Sequence, residues 1–271
     1  MMIPGYCKIC NRNDGVPVFD VSNQRDTYAD YLGLQFSGIG RVYKRCEKCN
    51  LVYRDIFLSP DQKKALYAGF RDIELRGETH LEYFRRVTNL TADESENDEK
   101  YRFLKGHIAS TGIHLDIGGG MGVFSYGFSQ FFPNWRSYCL EPTPEAGTIA
   151  SSYGVSFITG YLSEDIDLGI PGQIDLMTIN HVLEHVDNPM EFLILISRFM
   201  SAECVLYIEV PDQSDLGMLP LSHDRFMTQH EVIYDRLSLS SLLIAANFKI
   251  KYLETFKSKR GRNNLRAVAV L

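Results

Sequence analysis

The stretch His114-Leu115-Asp116-Ile117-Gly118-Gly119-Gly120-Met121-Gly122 decides the fold. Ile113–Ile117 reads as a short buried strand, and Gly122–Phe132 as the helix that follows it. Glycine at such a junction lets the backbone pass close to a ligand and adopt positive φ. The helix N-terminus offers free N–H groups and the positive end of the helix dipole. The spacing is Gly-Gly-Gly-x-Gly, not the Gly-x-Gly-x-x-Gly of dinucleotide folds. Asp116 stands just before the glycines, where a carboxylate can take the ammonium of an amino-acid moiety. Asp116, Gly118, Gly119, Gly120 and Gly122 are therefore the first candidate ligand contacts.

Working outward, short apolar runs alternate with helix-length segments from Gly112 onward. Strands are expected at Ser137–Leu140, Ser156–Thr159, Ile174–Asn180, Cys204–Val210, Phe248–Phe256 and Ala267–Leu271. Helices are expected at Pro144–Tyr153, Pro189–Met200 and Ser238–Ala246. This alternation predicts an α/β fold with a doubly wound, mostly parallel sheet of seven strands. The last two strands have no helix between them and are expected to pair antiparallel. The second strand ends in Cys139-Leu140-Glu141-Pro142, and an acidic residue there can accept both hydroxyls of a ribose. The plainer reading of Glu141 is a surface acid beside a turn proline.

The fourth strand runs into Ile179-Asn180-His181-Val182-Leu183-Glu184-His185-Val186. His181, Glu184 and His185 fall at i, i+3 and i+4, so on a helical turn they share one face. They follow a strand end, where ligands sit in such sheets. The same letters describe an inverted zinc-protease motif, but the turn is short, Pro189 interrupts it, and the glycine loop lies upstream in the same sheet. His185 can act as a general base near neutral pH; alternatively the cluster forms a metal site, or its members only cap and fill space.

With these pieces in place the region from about Arg102 to Leu271 resembles the class I S-adenosylmethionine-dependent methyltransferases. The resemblance rests on Leu115 to Gly122, Glu141 and Ile179 to Val186. It implies a Rossmann-like methyltransferase sheet, with Asp116 and the loop on the methionine part of S-adenosylmethionine, Asn180 beside them, and Glu141 on the ribose. It also implies adenine near Gly160, Tyr161 and Leu162. Tyr161 stands where an acidic residue is usual, so Ser163 or Glu164 is expected to meet the adenine amino group instead.

Upstream, Cys7-Lys8-Ile9-Cys10-Asn11 and Cys46-Glu47-Lys48-Cys49-Asn50 echo each other. Cys7, Cys10, Cys46 and Cys49 make a four-thiolate set suited to a structural zinc with no open position. Asn after each pair tolerates a left-handed turn. Beyond its cysteines, the segment to about residue 55 reads as irregular and turn-rich. The division expected is a zinc-binding module at 1–58, a helical connector or cap at 59–105, and the S-adenosylmethionine-dependent domain at 106–271. In the connector, Ser59-Pro60-Asp61-Gln62 reads as a helix start, while the acidic stretch Thr91 to Lys100 is either a solvated loop or a helix's first turn. Tyr67, Phe70, Tyr83 and Phe84 either dock the cap on the core or close over a ligand.

The N-terminal arrangement is also similar to the zinc-binding domain of the sugar C-methyltransferase family, through Cys49-Asn50-Leu51-Val52-Tyr53 and Leu66-Tyr67. That family carries a Tyr-x-Glu-His sequence used in catalysis. Aligned on His230, this chain has Met227 for the Tyr and Gln229 for the Glu, so only His230 carries over. His223, Asp224 and Arg225, just before it, either contact an acidic acceptor such as a phosphate or form a plain surface loop.

Composition bounds the partners. The 34 acidic residues outnumber the 28 basic ones, which disfavours a broad nucleic-acid-binding face, although Lys44, Arg45 and Lys48 keep a local patch open. No run reaches the ~18 apolar residues of a membrane span, and no apolar leader precedes Cys7, so a cytoplasmic location is expected. The function expected is methyl transfer to a small-molecule acceptor, with a sugar nucleotide or another biosynthetic metabolite among the candidates. The alternatives are a nucleic-acid or protein methyltransferase that binds substrate through the zinc module, and a cofactor-binding protein without turnover.

Overall fold

The polypeptide opens with β1 (Ile3–Pro4) and β2 (Val16–Asp20), then α1 (Thr27–Tyr31), β3 (Val42–Arg45), β4 (Val52–Arg54) and β5 (Ile56–Phe57). This is a computed structural model, and it describes residues 2–34, 41–69 and 73–271. The segment read as irregular therefore holds five strands. Each is only two to five residues long, too short for a period-2 signal to stand out. β1 pairs with β5, while β2, β3 and β4 form one antiparallel sheet.

Four helices follow: α2 (Pro60–Ala68), α3 (Ile73–Arg76), α4 (His80–Thr88) and α5 (Glu96–Leu104). Ser59 and Gln62 close a capping box on α2, and Thr79 and Glu82 close another on α4. The acidic run proves to be the first turn of α5: Ser95 caps it, and Glu96, Asp98 and Glu99 sit at the positive end of its dipole. Phe84 is fully buried beside Tyr126 and Tyr153, so α4 docks on the core. Phe70 lies outside the described residues.

The remainder is β6 (Gly112–Ile117), α6 (Val123–Phe131), β7 (Trp135–Glu141), α7 (Pro144–Ser152), β8 (Ser156–Thr159), β9 (Ile174–Asn180), α8 (Pro189–Phe199), β10 (Met200–Pro211), β11 (Val232–Ile233), α9 (Arg236–Ala245), β12 (Lys249–Lys257) and β13 (Asn263–Val270). Seven of these strands form one sheet in the order β12-β13-β10-β9-β6-β7-β8. β6 through β10 run parallel, and β13 runs antiparallel between β10 and β12. The expected strand set and the antiparallel final pair are present. β13 starts four residues earlier than Ala267, because polar ladder residues find partners: Asn264 donates to Glu209 Oε1 at 3.0 Å, and Arg266 Nε donates to Glu254 at 2.6 Å.

Leu115, Ile117, Met177, Ile179, Leu206 and Ile208 fill one face of the sheet, and Leu176, Tyr207, Phe124 and Phe128 the other. β6 and β9 are neighbours from which the winding proceeds in opposite directions. The loop after β6 and the turn after β9 thus lie side by side at the carboxyl edge, the switch point where ligands bind in such sheets. β11 does not join this sheet. It pairs with β4, Val232 opposite Tyr53, so the sheet of the N-terminal segment takes its fourth strand from beyond β10.

Candidate functional site

The glycine loop takes the conformation its composition allows. Gly118, Gly120 and Gly122 have φ of +69°, +56° and +71°, and Gly122 forms the left-handed N-cap of α6. A Cβ on Gly119 would stand 2.5 Å from Asp116 Oδ2 and 2.7 Å from Cys139 Sγ, whereas one on Gly120 would meet nothing within 4 Å. Gly119 is thus packed inward, and Gly120 borders open space.

Asp116 is buried beneath the loop, 1% exposed. Thr178 Oγ1 donates to its Oδ1 at 2.6 Å, Asn180 Nδ2 reaches the same oxygen at 3.4 Å, and Ser125 Oγ approaches Oδ2 at 3.4 Å. Burial outweighs these donors and raises its pKa to about 6. Asn180 Oδ1 is buried and accepts no hydrogen bond among the described residues. Beside the loop, Glu141 Oε2 accepts from the Gly120 N–H at 3.2 Å, and Oε1 from Thr143 Oγ1 at 2.7 Å. After β8, Leu162 packs on the core while Tyr161 is 70% exposed. Ser163 is exposed, and Glu164 pairs with Arg198.

The turn after β9 gathers the other candidates. His181, with φ of +54°, lies between two carboxylates: Nδ1 is 3.3 Å from Glu184 Oε1, and Nε2 is 3.2 Å from Glu209 Oε1. Burial lowers the His181 pKa, but the two carboxylates overcome it and lift the group to about 9. His181 is an imidazolium at neutral pH. Glu209 is itself buried and also takes Lys100 Nζ at 3.2 Å and Tyr207 OH at 2.8 Å. Glu184 is completely buried; its Oε2 has no hydrogen-bond partner among the described residues.

His185 and His230 come together although 45 positions separate them in sequence; their rings are near-parallel, 17° apart in plane with centroids 5.4 Å apart. His185 Nδ1 is 2.9 Å from the Gln229 carbonyl, and His230 Nδ1 is 2.9 Å from the Asp224 carbonyl. Burial depresses both, His230 to about 4, so both are neutral near pH 7. The structure thus unites His181, Glu184, His185 and His230 in one cluster. Tyr67 of α2 packs edge-on against His185, 5.8 Å between centroids. The sequence left Arg225 either facing an acidic acceptor or on a plain surface loop; its side chain is instead engaged inside the fold. It is buried, pairs with Asp215, and donates to the carbonyl of Asp212 at 2.7 Å and to that of Asn263.

The sequence model of a family described as "methyltransferase domain" matches residues 80–253, well over half of the chain. The chain belongs to this methyltransferase family. It is an S-adenosylmethionine-dependent methyltransferase of class I. No curated protein matches it in sequence. Among solved structures, the enzyme is similar to 1,6-didemethyltoxoflavin-N1-methyltransferase of Burkholderia thailandensis, solved with 1,6-didemethyltoxoflavin and S-adenosylhomocysteine. The identity is 18%, covering 85% of this chain and 95% of that one, with a TM-score of 0.55. It is similar to a plantazolicin methyltransferase with S-adenosylhomocysteine (16% identity, 77% and 95% covered, TM-score 0.56). A third likeness is to magnesium protoporphyrin IX methyltransferase of Synechocystis PCC 6803 with S-adenosylhomocysteine (14%, 76% and 99%, TM-score 0.55). At these identities the likeness is one of fold.

In this methyltransferase the four N-terminal cysteines also meet. Cys7, Cys10, Cys46 and Cys49 each place a sulfur within 4.8 Å of the others, and Cys7 and Cys49 sulfurs lie 3.3 Å apart. Asn11 and Asn50, one after each pair, have φ of 53° and 65°, the left-handed turns their identity permits. Lys8, between two of these cysteines and 7% exposed, donates to the Val186 carbonyl at 2.8 Å and pairs with Glu231 at 2.9 Å. It therefore braces both segments that carry His185 and His230.

Sequence reading missed Thr178, Glu209, Lys100 and Lys8. Glu209 lies two residues before the end of β10, near the same carboxyl edge as Glu141, and that signal was available. Lys8 carried none, because its partners lie 178 or more positions away.

Proposed function

We propose that the enzyme transfers the methyl group of S-adenosylmethionine to a small-molecule acceptor bound between the glycine loop and the His181–His230 cluster. One observation carries this reading: Gly120 faces open space with its N–H on the Glu141 carboxylate, and the buried Asn180 oxygen beside Asp116 has no donor among the described residues. An unpaired buried acceptor is costly unless a ligand supplies the donor. The ammonium of the methionine moiety supplies it, taken by Asn180 Oδ1 with Asp116 behind it, while Gly118 to Gly122 line the rest of that moiety. Glu141 takes the ribose hydroxyls, and Leu162 with Tyr161 flanks the adenine.

The bound cofactor supplies an electrophilic methyl carbon. An acceptor lone pair would bond to that carbon as the C–S electrons return to sulfur, so the products would be the methylated acceptor and S-adenosylhomocysteine. The enzyme's part is alignment of the two reactants and removal of the acceptor's proton. Without a metal ion bound to them, the neutral imidazoles of His185 and His230 would take that proton, with Glu184 beside them to favour the imidazolium. The small-molecule class draws support from the site, whose surround is carboxylate-rich rather than basic and so unsuited to a nucleic-acid backbone.

The four-cysteine cluster fits a structural zinc. Sulfurs about 3.8 Å apart span a tetrahedral zinc–thiolate site, and these need only small shifts to reach it. The experiment is calorimetric titration of the full chain with S-adenosylmethionine, repeated on Glu141→Ala. Saturable binding is expected, weakened at least about tenfold in the variant by loss of a bidentate, charge-assisted contact. Absence of binding to the unaltered enzyme would overturn the proposal.

A further inference from the structure

We infer that Glu184, His185 and His230 form a binding site for a divalent transition-metal ion, distinct from the four-cysteine cluster. The argument is geometric. One ligand atom from each of the three lies within 4.8 Å of the others. Each histidine hands its Nδ1 proton to a backbone carbonyl, Gln229 for His185 and Asp224 for His230. That fixes the tautomer and leaves the Nε2 lone pair bare, the arrangement that orients metal-bound histidines.

Glu184 divides its oxygens. Oε1 accepts from His181 at 3.3 Å, while Oε2, fully buried, is unpartnered among the described residues. A buried carboxylate oxygen with no donor is costly, and a cation would remove that cost. His181 is not a ligand: both of its nitrogens face carboxylates, and it orients Glu184 from behind. Ligands at about 2.0 to 2.2 Å from one ion lie roughly 3 to 3.5 Å apart, so closure by about an ångström completes the set.

Two imidazoles and one carboxylate suit zinc, manganese, cobalt or nickel. Three protein ligands leave at least one position open, the pattern of catalytic rather than structural sites. The site follows Asn180 by four residues, and Val182 packs beneath Gly118, so it lies on the acceptor side of the pocket. The open position would hold an acceptor oxygen and favour its deprotonated form. This role in turnover rests on the proposed methyl transfer; metal occupancy does not.

The test is metal analysis and cobalt titration of the full chain. Two equivalents are expected: one with intense sulfur-to-cobalt charge-transfer bands from the cysteines, and one with weak bands lacking them. Glu184→Gln and His230→Asn, checked by circular dichroism for folding, should each lose the second equivalent and keep the first. S-adenosylmethionine titration should stay within about threefold of the unaltered enzyme. If the unaltered enzyme takes up no thiolate-free equivalent of zinc, manganese, cobalt or nickel, the inference is overturned, and this result needs no variant. Retention of both equivalents by both variants overturns it too. Failure to bind S-adenosylmethionine with the second metal present would instead overturn the cofactor reading alone.

Discussion

Asp116→Asn should make the enzyme more stable as pH rises while weakening its hold on S-adenosylmethionine. The carboxyl is buried, and its pKa stands at about 6 against 3.8 for the free group. Two units correspond to about 3 kcal/mol. The sign follows from proton linkage: the folded state binds this proton more tightly than the unfolded one, so ionising Asp116 opposes folding. That cost is absent below about pH 4, grows through the window from about 4 to 6, and is complete above it. Asn keeps the shape and an acceptor for Thr178 and never ionises. Its altered hydrogen bonds add a constant of about 1 kcal/mol that does not vary with pH.

Urea unfolding at half-unit steps from pH 4.5 to 8 measures the difference. Stability of the variant minus that of the unaltered enzyme should climb by about 1.5 kcal/mol from pH 4.5 to 6 and level off at a total climb of about 2 kcal/mol by pH 8. A difference that is flat with pH, or that falls, would refute the reasoning. Calorimetry supplies the functional arm. If ionised Asp116 backs the cofactor's ammonium, the affinity of the unaltered enzyme drops about tenfold per pH unit below 6, with proton release on binding. In the Asp116→Asn variant, affinity is lower and flat across that range.

Three further outcomes follow from the geometry. Gly119→Ala drives a Cβ to 2.5 Å from Asp116 and should cost about 1 to 3 kcal/mol in urea unfolding. Gly120→Ala, where space is open, should cost only about 1 kcal/mol for its left-handed backbone; equal costs would contradict the inward packing of Gly119. Lys8→Met removes a buried charge from Glu231 and a donor from Val186, and should lower stability by about 2 kcal/mol, softened because Lys63 still pairs with Glu231. Stripping the cysteine site with a strong chelator should lower the thermal midpoint by roughly 5 °C or more, since metal binding there contributes folding free energy; an unchanged midpoint would deny the site a structural ion.

The sheet was legible because its central strands are apolar runs and helix-length segments separate all but the last two. The loop was legible because its glycines are clustered and Asp116 and Glu141 end adjacent strands. The N-terminal strands were not, since pairing of two-residue segments such as Val232–Ile233 depends on partners far along the chain. The environment of His181 was half visible. Its spacing from Glu184 follows from the turn, but Glu209 arrives from β10, Lys100 from α5 and Asn264 from β13. The burial of Arg225 was hidden for a related reason: its surface-like loop sequence folds against residues distant in the chain, where Asp215 and the carbonyls of Asp212 and Asn263 take its donors.

The cysteine-rich segment and the methyltransferase sheet meet beside His185 and His230. Tyr43 OH donates to the His230 carbonyl at 2.8 Å, Arg54 N–H donates to the Glu231 carbonyl at 2.9 Å, and Lys8 reaches past Cys7 to Val186 and Glu231. The chain from His185 to Val186 and the chain from His230 to Glu231 are therefore both held by residues before position 58. A methyltransferase sheet alone would present the glycine loop, Asp116 and Glu141, because these depend only on β6, β7 and β9. The spacing of His185 against His230 draws on both parts: Leu183 packs in the sheet's core and His185 meets the Gln229 carbonyl, while Lys8 and Tyr43 hold the two segments from the N-terminal side. The division of labour follows from this. On the proposed reading, the parallel sheet would shape the cofactor half of the pocket, and the cysteine-rich segment would brace the acceptor half through Lys8 and Tyr43.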